Sequence, residues 1–211
     1  MISIRGISQS IINRLPKYLH CLYELRDHDV ERISSAQIAN IMDTTASQVR
    51  QDFSVFGSFG ATGYGDQVEN LIDEIERILG LNKPHTIAVI GVGSIGRGLL
   101  EHMDFESHNY RVCGAFDIDP AVVGTTVNGI PVYHFDEFDT VQQETKVDIC
   151  MLTVSRKAAR EVAQHLAARG ISAMWNFTNV ELRLNQTDVL VQNVNLLESL
   201  FTLTYFLEER S

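Results

Sequence analysis

The 211-residue chain carries 17 Lys and Arg against 27 Asp and Glu, a formal net charge of −10. A balance this acidic excludes indiscriminate nucleic-acid binding, and no run of apolar residues is long enough to span a bilayer. With 45% hydrophobic residues, the chain holds enough apolar material for one large or two small cored domains.

Residues 1–20 contain Arg5, Arg14 and Lys17 and no acid, the one basic stretch of an otherwise acidic chain. Arg5 and scattered polar residues interrupt the apolar run that a secretory signal requires, which predicts a cytoplasmic protein. Cys21, Cys113 and Cys150 are odd in number and far apart. That pattern suits reduced core thiols rather than disulfides or a metal site.

Ile11, Ile12, Leu15, Leu19, Leu22 and Leu25 recur at helical spacing and predict a first helix, locally disturbed at Pro16. Ser34 and Ser35 are capping residues for a short helix over 37–42, and Asp43-Thr44-Thr45 makes a turn into a second helix over 46–55. That second helix presents Ser47, Arg50, Gln51 and Ser54 on one side. The glycine-rich stretch 56–65 then reads as a hairpin. Helix, turn, helix and glycine-rich ribbon together have the layout of a winged helix-turn-helix; a small all-α cap is the alternative. An amphipathic helix over 66–79 follows, and Gly80 to Pro84 forms a linker.

Next comes the most informative stretch. The β-branched run from His85 to Ile90 enters Gly91-Val92-Gly93-Ser94-Ile95-Gly96 and then a helix-forming segment. Strand before and helix after is the context that the dinucleotide fingerprint demands. Gly91 serves the tight turn, Gly93 the approach of a pyrophosphate and Gly96 close helix–strand packing, with the phosphates on the free N–H groups of the helix opening near Ser94. The second strand ends in Asp117, 21 positions after Gly96. A carboxylate there accepts ribose hydroxyls and repels a 2′-phosphate, so NAD(H) is expected over NADP, with Asp119 as a second candidate anchor.

Further strands at 130–133, 147–154, 171–177 and 189–194 alternate with helices at 138–144 and 157–169. This predicts an α/β, doubly wound parallel sheet of the Rossmann type. A last helix over 196–207 is apolar over more than half its surface, with Leu196, Leu197, Leu200, Phe201, Leu203 and Phe206. It calls for a cover, either a partner subunit or its own domain. The expected boundaries are 1–80 for the DNA-binding domain, 81–195 for the NAD(H)-binding domain and 196–211 for the dimerisation helix.

Val49-Arg50-x-Asp52, Phe56-Gly57-x-Phe59-Gly60, Gly63-x-Gly65, Ile78-Leu79-Gly80-Leu81, the glycine loop, Ala115-Phe116-Asp117-x-Asp119-Pro120, Gly129-Ile130-Pro131-Val132 and Asn176-Phe177 occur in one order along the whole chain. This resembles the Rex family of redox-sensing transcriptional repressors. The resemblance implies a homodimer with exchanged C-terminal helices that reads palindromic operator DNA and releases it when NADH is high. DNA contacts are then expected from Ser47, Arg50, Gln51, Ser54, Thr62 and Arg14, with Arg50 suited to guanine and Gln51 to adenine.

The chain also departs from the family pattern. His20, His102 and Asn195 stand where the family typically has a cation, a phenol and a carboxylate, which predicts a changed and pH-dependent switch. Ser155 and Thr178-Asn179 replace prolines and an alanine near the nicotinamide end. From Ile33 to Gly65 one cation, Arg50, faces Asp43 and Asp52, so weak or narrow DNA binding is expected. A divergent paralogue with altered sensing, or a small NAD-dependent dehydrogenase, are the other readings. Catalysis lacks support, because His102, His134 and His165 fall in no catalytic pattern such as Tyr-x-x-x-Lys.

Overall fold

The computed structural model describes residues 7–57, 65–184 and 188–210. The chain divides into two compact units, 1–83 and 84–211. The first contains α1 (Gln9–Asp27), β1 (Arg32–Ile33), α2 (Ser35–Ile41), α3 (Ala46–Phe53), β2 (Asp66–Gln67) and α4 (Val68–Leu79).

Its helices begin where side chains satisfy the free N–H groups of a first turn. Ser34 and Gln37 form a reciprocal capping box on α2, and the Thr45 hydroxyl accepts from the Gln48 N–H at the start of α3. Leu15, Tyr18 and Leu22 of α1 pack with Val49 and Phe53 of α3 and Leu71 and Ile75 of α4 in one core. Boundaries differ from expectation at α2, predicted over 37–42 and found over Ser35–Ile41, and at two further places. The helix predicted over 46–55 ends at Phe53, and a tight 3₁₀ turn over Ser54–Phe56 takes the chain out through Gly57 at φ +93°. The helix predicted from 66 starts at Val68, because Asp66 and Gln67 pair antiparallel with Ile33 and Arg32. A backbone ladder claims those two residues before the helix begins. The tip of the expected wing, Thr62 included, lies outside the described residues.

The second unit contains β3 (His85–Ile90), α5 (Ser94–His102), β4 (Tyr110–Asp117), β5 (Thr126–Val127), β6 (Ile130–His134), α6 (Phe138–Glu144), β7 (Ile149–Leu152), α7 (Ala159–Ala168), β8 (Ala173–Asn176), β9 (Leu190–Asn193) and α8 (Leu196–Glu208). The seven strands lie in the order β5-β6-β4-β3-β7-β8-β9, all parallel except β5, which is antiparallel to β6. Both faces of the sheet are covered: Ala88 and Ile90 enter one core, Ile87 and Val89 the other. That explains why β3 reads as a continuous apolar run. The order reverses at β3, so the crevice between the carboxyl ends of β3 and β7 is the topological switch point.

Every residue of α8 is exposed, its large apolar side chains ranging from Leu196 at 75% to Leu197 at 49%. Among the described residues, no helix is long and apolar enough to cross a membrane.

Candidate functional site

The crevice at the switch point is a cleft of about 280 Å³ lined by Gly91, Gly93, Asp117, Ile118, Phe135 and Val154, among others. The three glycines that line or flank it differ in what holds them. Gly91 turns the chain at φ +99°, where a Cβ would also sit 2.8 Å from the backbone at Thr153 and Val154. At Gly96 a Cβ would collide with the Gly91 carbonyl oxygen, so α5 packs against the loop only because that atom is missing. Gly93, by contrast, has φ −71°, and among the described residues no atom lies within 4 Å of where a Cβ would be. None of the described residues requires glycine there, and the open space lies at the N-cap of α5, where backbone N–H groups can bind an anion. This cradle fits a pyrophosphate.

Asp117 lies at the carboxyl end of β4, half-buried. Its Oδ2 accepts the Val92 N–H at 2.6 Å, and its Oδ1 accepts the N–H groups of Ile118 at 2.7 Å and Asp119 at 3.0 Å. Of about four acceptor positions on a carboxylate, the described residues leave one, on Oδ2. Asp117 therefore has room for a single ribose hydroxyl, and it also fastens the glycine loop to β4. The spacing predicted a ribose anchor at this position; the fastening role was not legible, because a residue 25 positions away supplies the donor. Asp119 is exposed, and its carboxylate accepts the Ala121 N–H. Val92 is buried, while Ser94 and Ile95 are exposed on the first turn of α5.

The first unit places Ser47, Arg50, Gln51 and Ser54 on the exposed side of α3 and the turn after it. The opposite side of α3 carries the feature that sequence reasoning missed. Asp52 is fully buried and accepts four hydrogen bonds. Arg14 donates Nε and Nη2 at 2.7 Å each, the Tyr18 hydroxyl donates at 2.8 Å and Gln48 Nε2 at 2.8 Å. Burial works to raise the Asp52 carboxyl, but these donors outweigh it and hold the group below its ordinary value of 3.8. Two expectations change. Asp52 does not oppose DNA, since its charge is internal and compensated, and Arg14 commits two of its donors to Asp52 rather than standing free for phosphate. Separations of 38 and 34 residues left no local signal for either contact.

Among the proposed switch residues, His20 is exposed on α1 with Nε2 3.3 Å from Glu24, and His102 is exposed at the end of α5. Asn195 caps α8, accepting the Leu197 N–H at 3.1 Å and donating to Glu198 at 2.9 Å.

Residues 82–180 match the family described as "CoA binding domain", and residues 6–54 match "Putative DNA-binding protein N-terminus". Over 210 residues the chain is 40% identical to the redox-sensing transcriptional repressor Rex of Caldicellulosiruptor saccharolyticus, covering 100% of this chain and 95% of the relative. The chain belongs to the Rex family. Rex of Clostridioides difficile is 37% identical over 209 residues, 99% of each chain. Among solved structures, RSP, a Rex-family repressor, superposes with a TM-score of 0.88 at 37% identity over 97% of this chain and 95% of that one. RSP in complex with β-NAD+ and operator DNA matches with the same TM-score at 38% identity, covering 97% and 94% of the two chains. RSP in complex with β-NADH also scores 0.88, at 36% identity over 97% and 95%. As a Rex-family chain, the protein combines an N-terminal DNA-binding unit with a Rossmann-type unit.

Proposed function

We propose that this chain is a cytoplasmic, homodimeric repressor that binds palindromic operator DNA and releases it when NADH is bound. The observation that carries the reading is the pairing of an open Gly93 cradle at a helix N-terminus with Asp117 at the end of the neighbouring strand. That pair fits the pyrophosphate and the adenosine ribose of NAD(H). Gly91, Val92, Gly93, Ser94, Ile95 and Gly96 form the phosphate loop, and Asp117 takes one ribose hydroxyl, with Asp119 beside it. The Asp117 charge disfavours the 2′-phosphate of NADPH.

On α3, Ser47, Arg50, Gln51 and Ser54 face outward to read DNA, with Arg50 and Gln51 of the lengths needed for base edges. The apolar surface of α8 is covered by the second copy. His20, His102 and Asn195 carry the coupling between cofactor and DNA, and their departure from the family pattern retunes the response. The reading is regulatory rather than enzymatic, because nothing among the residues lining the cleft forms a general acid–base pair.

Calorimetric titration tests the cofactor half. NADH should bind at least about tenfold more tightly than NADPH, and Asp117→Ala should weaken NADH by about tenfold, the value of one charged hydrogen bond. Equal affinities for the two cofactors, or an unchanged dissociation constant in the variant, contradict the assignment.

A further inference from the structure

The buried carboxylate of Asp52 and its counter-ion Arg14 lie on opposite elements, α3 and α1, and nothing in the proposed function accounts for them. We infer that Asp52 is a positioning residue for DNA recognition: it fixes the pitch and rotation of α3 on α1, and Arg14 acts through it rather than by touching phosphate. The inference rests on the reading of α3 as the DNA-reading helix.

Four donors converge on one carboxylate from two helices. Arg14 and Tyr18 reach it from successive turns of α1, and Gln48 reaches it from one turn earlier on α3 itself. The Asp52 side chain has no exposed surface, while Arg14 retains 35%. Because the guanidinium is planar and bidentate, its two bonds set direction as well as distance between the helices. Asp52 lies two residues after Arg50 and one after Gln51, so a rotation of α3 about its axis that breaks these bonds swings both reading side chains off their targets. An apolar contact holds helices together without that angular restraint. The neighbouring edge-to-face contact of Tyr18 with Phe53, centroids 5.1 Å apart, supplies the apolar part of the same junction. Tyr18 thus joins the two layers, its ring in the core and its hydroxyl on the anion.

This assigns Arg14 a role opposite to that of a phosphate contact, and the two differ in salt dependence. A cation that neutralises phosphate steepens the fall of affinity with salt by about 0.9 per contact and acts on all DNA alike. A positioning residue changes affinity for the operator and leaves the salt slope alone.

The test uses the full chain and the neutral pair R14Q/D52N. This pair keeps net charge constant and leaves no unpaired buried anion. A melting curve and NADH affinity check that it folds, and Asp52→Asn alone serves as a second variant with the Arg14 cation intact. Anisotropy titrations with an inverted-repeat operator duplex and a scrambled duplex run from about 50 to 200 mM KCl. The expected result is a loss of at least about tenfold for the operator, little change for the scrambled duplex and an unchanged salt slope. Parallel weakening on both duplexes with a shallower slope would make Arg14 a phosphate contact and overturn the inference. Operator affinity equal to the parent in both variants also overturns it. Failure of the parent chain itself to prefer the operator would instead remove the reading of α3 on which the inference stands.

Discussion

Gly93 and Gly96 lie three residues apart in one motif, yet physics asks different things of them. Gly96 has no room for a methyl group beside the Gly91 carbonyl, whereas Gly93 has open space and an ordinary backbone conformation. Gly96→Ala should therefore destabilise the second unit by about 1–3 kcal/mol, the usual cost of overpacking. Gly93→Ala should leave the melting temperature unchanged and still lose NADH affinity by at least about tenfold, because its methyl group fills the cradle. Melting curves and calorimetry on the two variants separate these outcomes. A Gly93→Ala protein that binds NADH normally would mean the pyrophosphate lies elsewhere. Cys150 illustrates the opposite case, a side chain with chemistry that its site suppresses. Burial pushes its thiol well above the ordinary value, which leaves it a core residue.

At the scale of elements, the sequence carried most of the second unit. Strands β3, β7 and β8 fall within the runs that predict them, because a sheet buried on both faces writes its central strands as continuous hydrophobic stretches; β6 runs one residue past its predicted end, to His134, and β9 falls within 189–194 although it is an edge strand with mostly exposed residues. The two-residue strands β1, β2 and β5 were not legible. Each is too short to show periodicity, and each is set by a partner distant in sequence or across a turn. The α1–α3 junction escaped for the same reason, since Asp52 reads as a surface acid until the fold brings Arg14 to it. That junction has a pH signature. The Asp52 pKa is depressed in the folded state, so its stabilising contribution is complete above the ordinary value of 3.8 and is lost as pH falls through the lower folded value. Thermal unfolding followed from about pH 6 to pH 3 should show an acid limb that is shallower in Asp52→Asn. Identical acid limbs in the parent and the variant would mean that the carboxylate is not ionised in the fold.

At the scale of the whole molecule, α8 is the bare apolar surface of the single chain. Leu200 and Phe201 are 51% and 63% exposed, and the neighbouring turns are equally apolar. A helix this hydrophobic and this bare calls for a cover, which the proposed function takes from the second copy. Charging it with Leu200→Asp and Phe201→Asp together should convert a dimer to a monomer in sedimentation, and operator affinity should fall with it, because two half-sites then bind independently. A dimer that survives both changes would place the interface on another surface.

Control of DNA binding by cofactor occupancy is decided by anisotropy of a labelled inverted-repeat duplex titrated with protein and then with NADH. Saturable binding that NADH reverses and NADPH does not is expected, with no binding by Arg50→Ala despite unchanged NADH affinity. Saturable binding that NADH leaves untouched, in a protein shown by calorimetry to bind NADH, would contradict it.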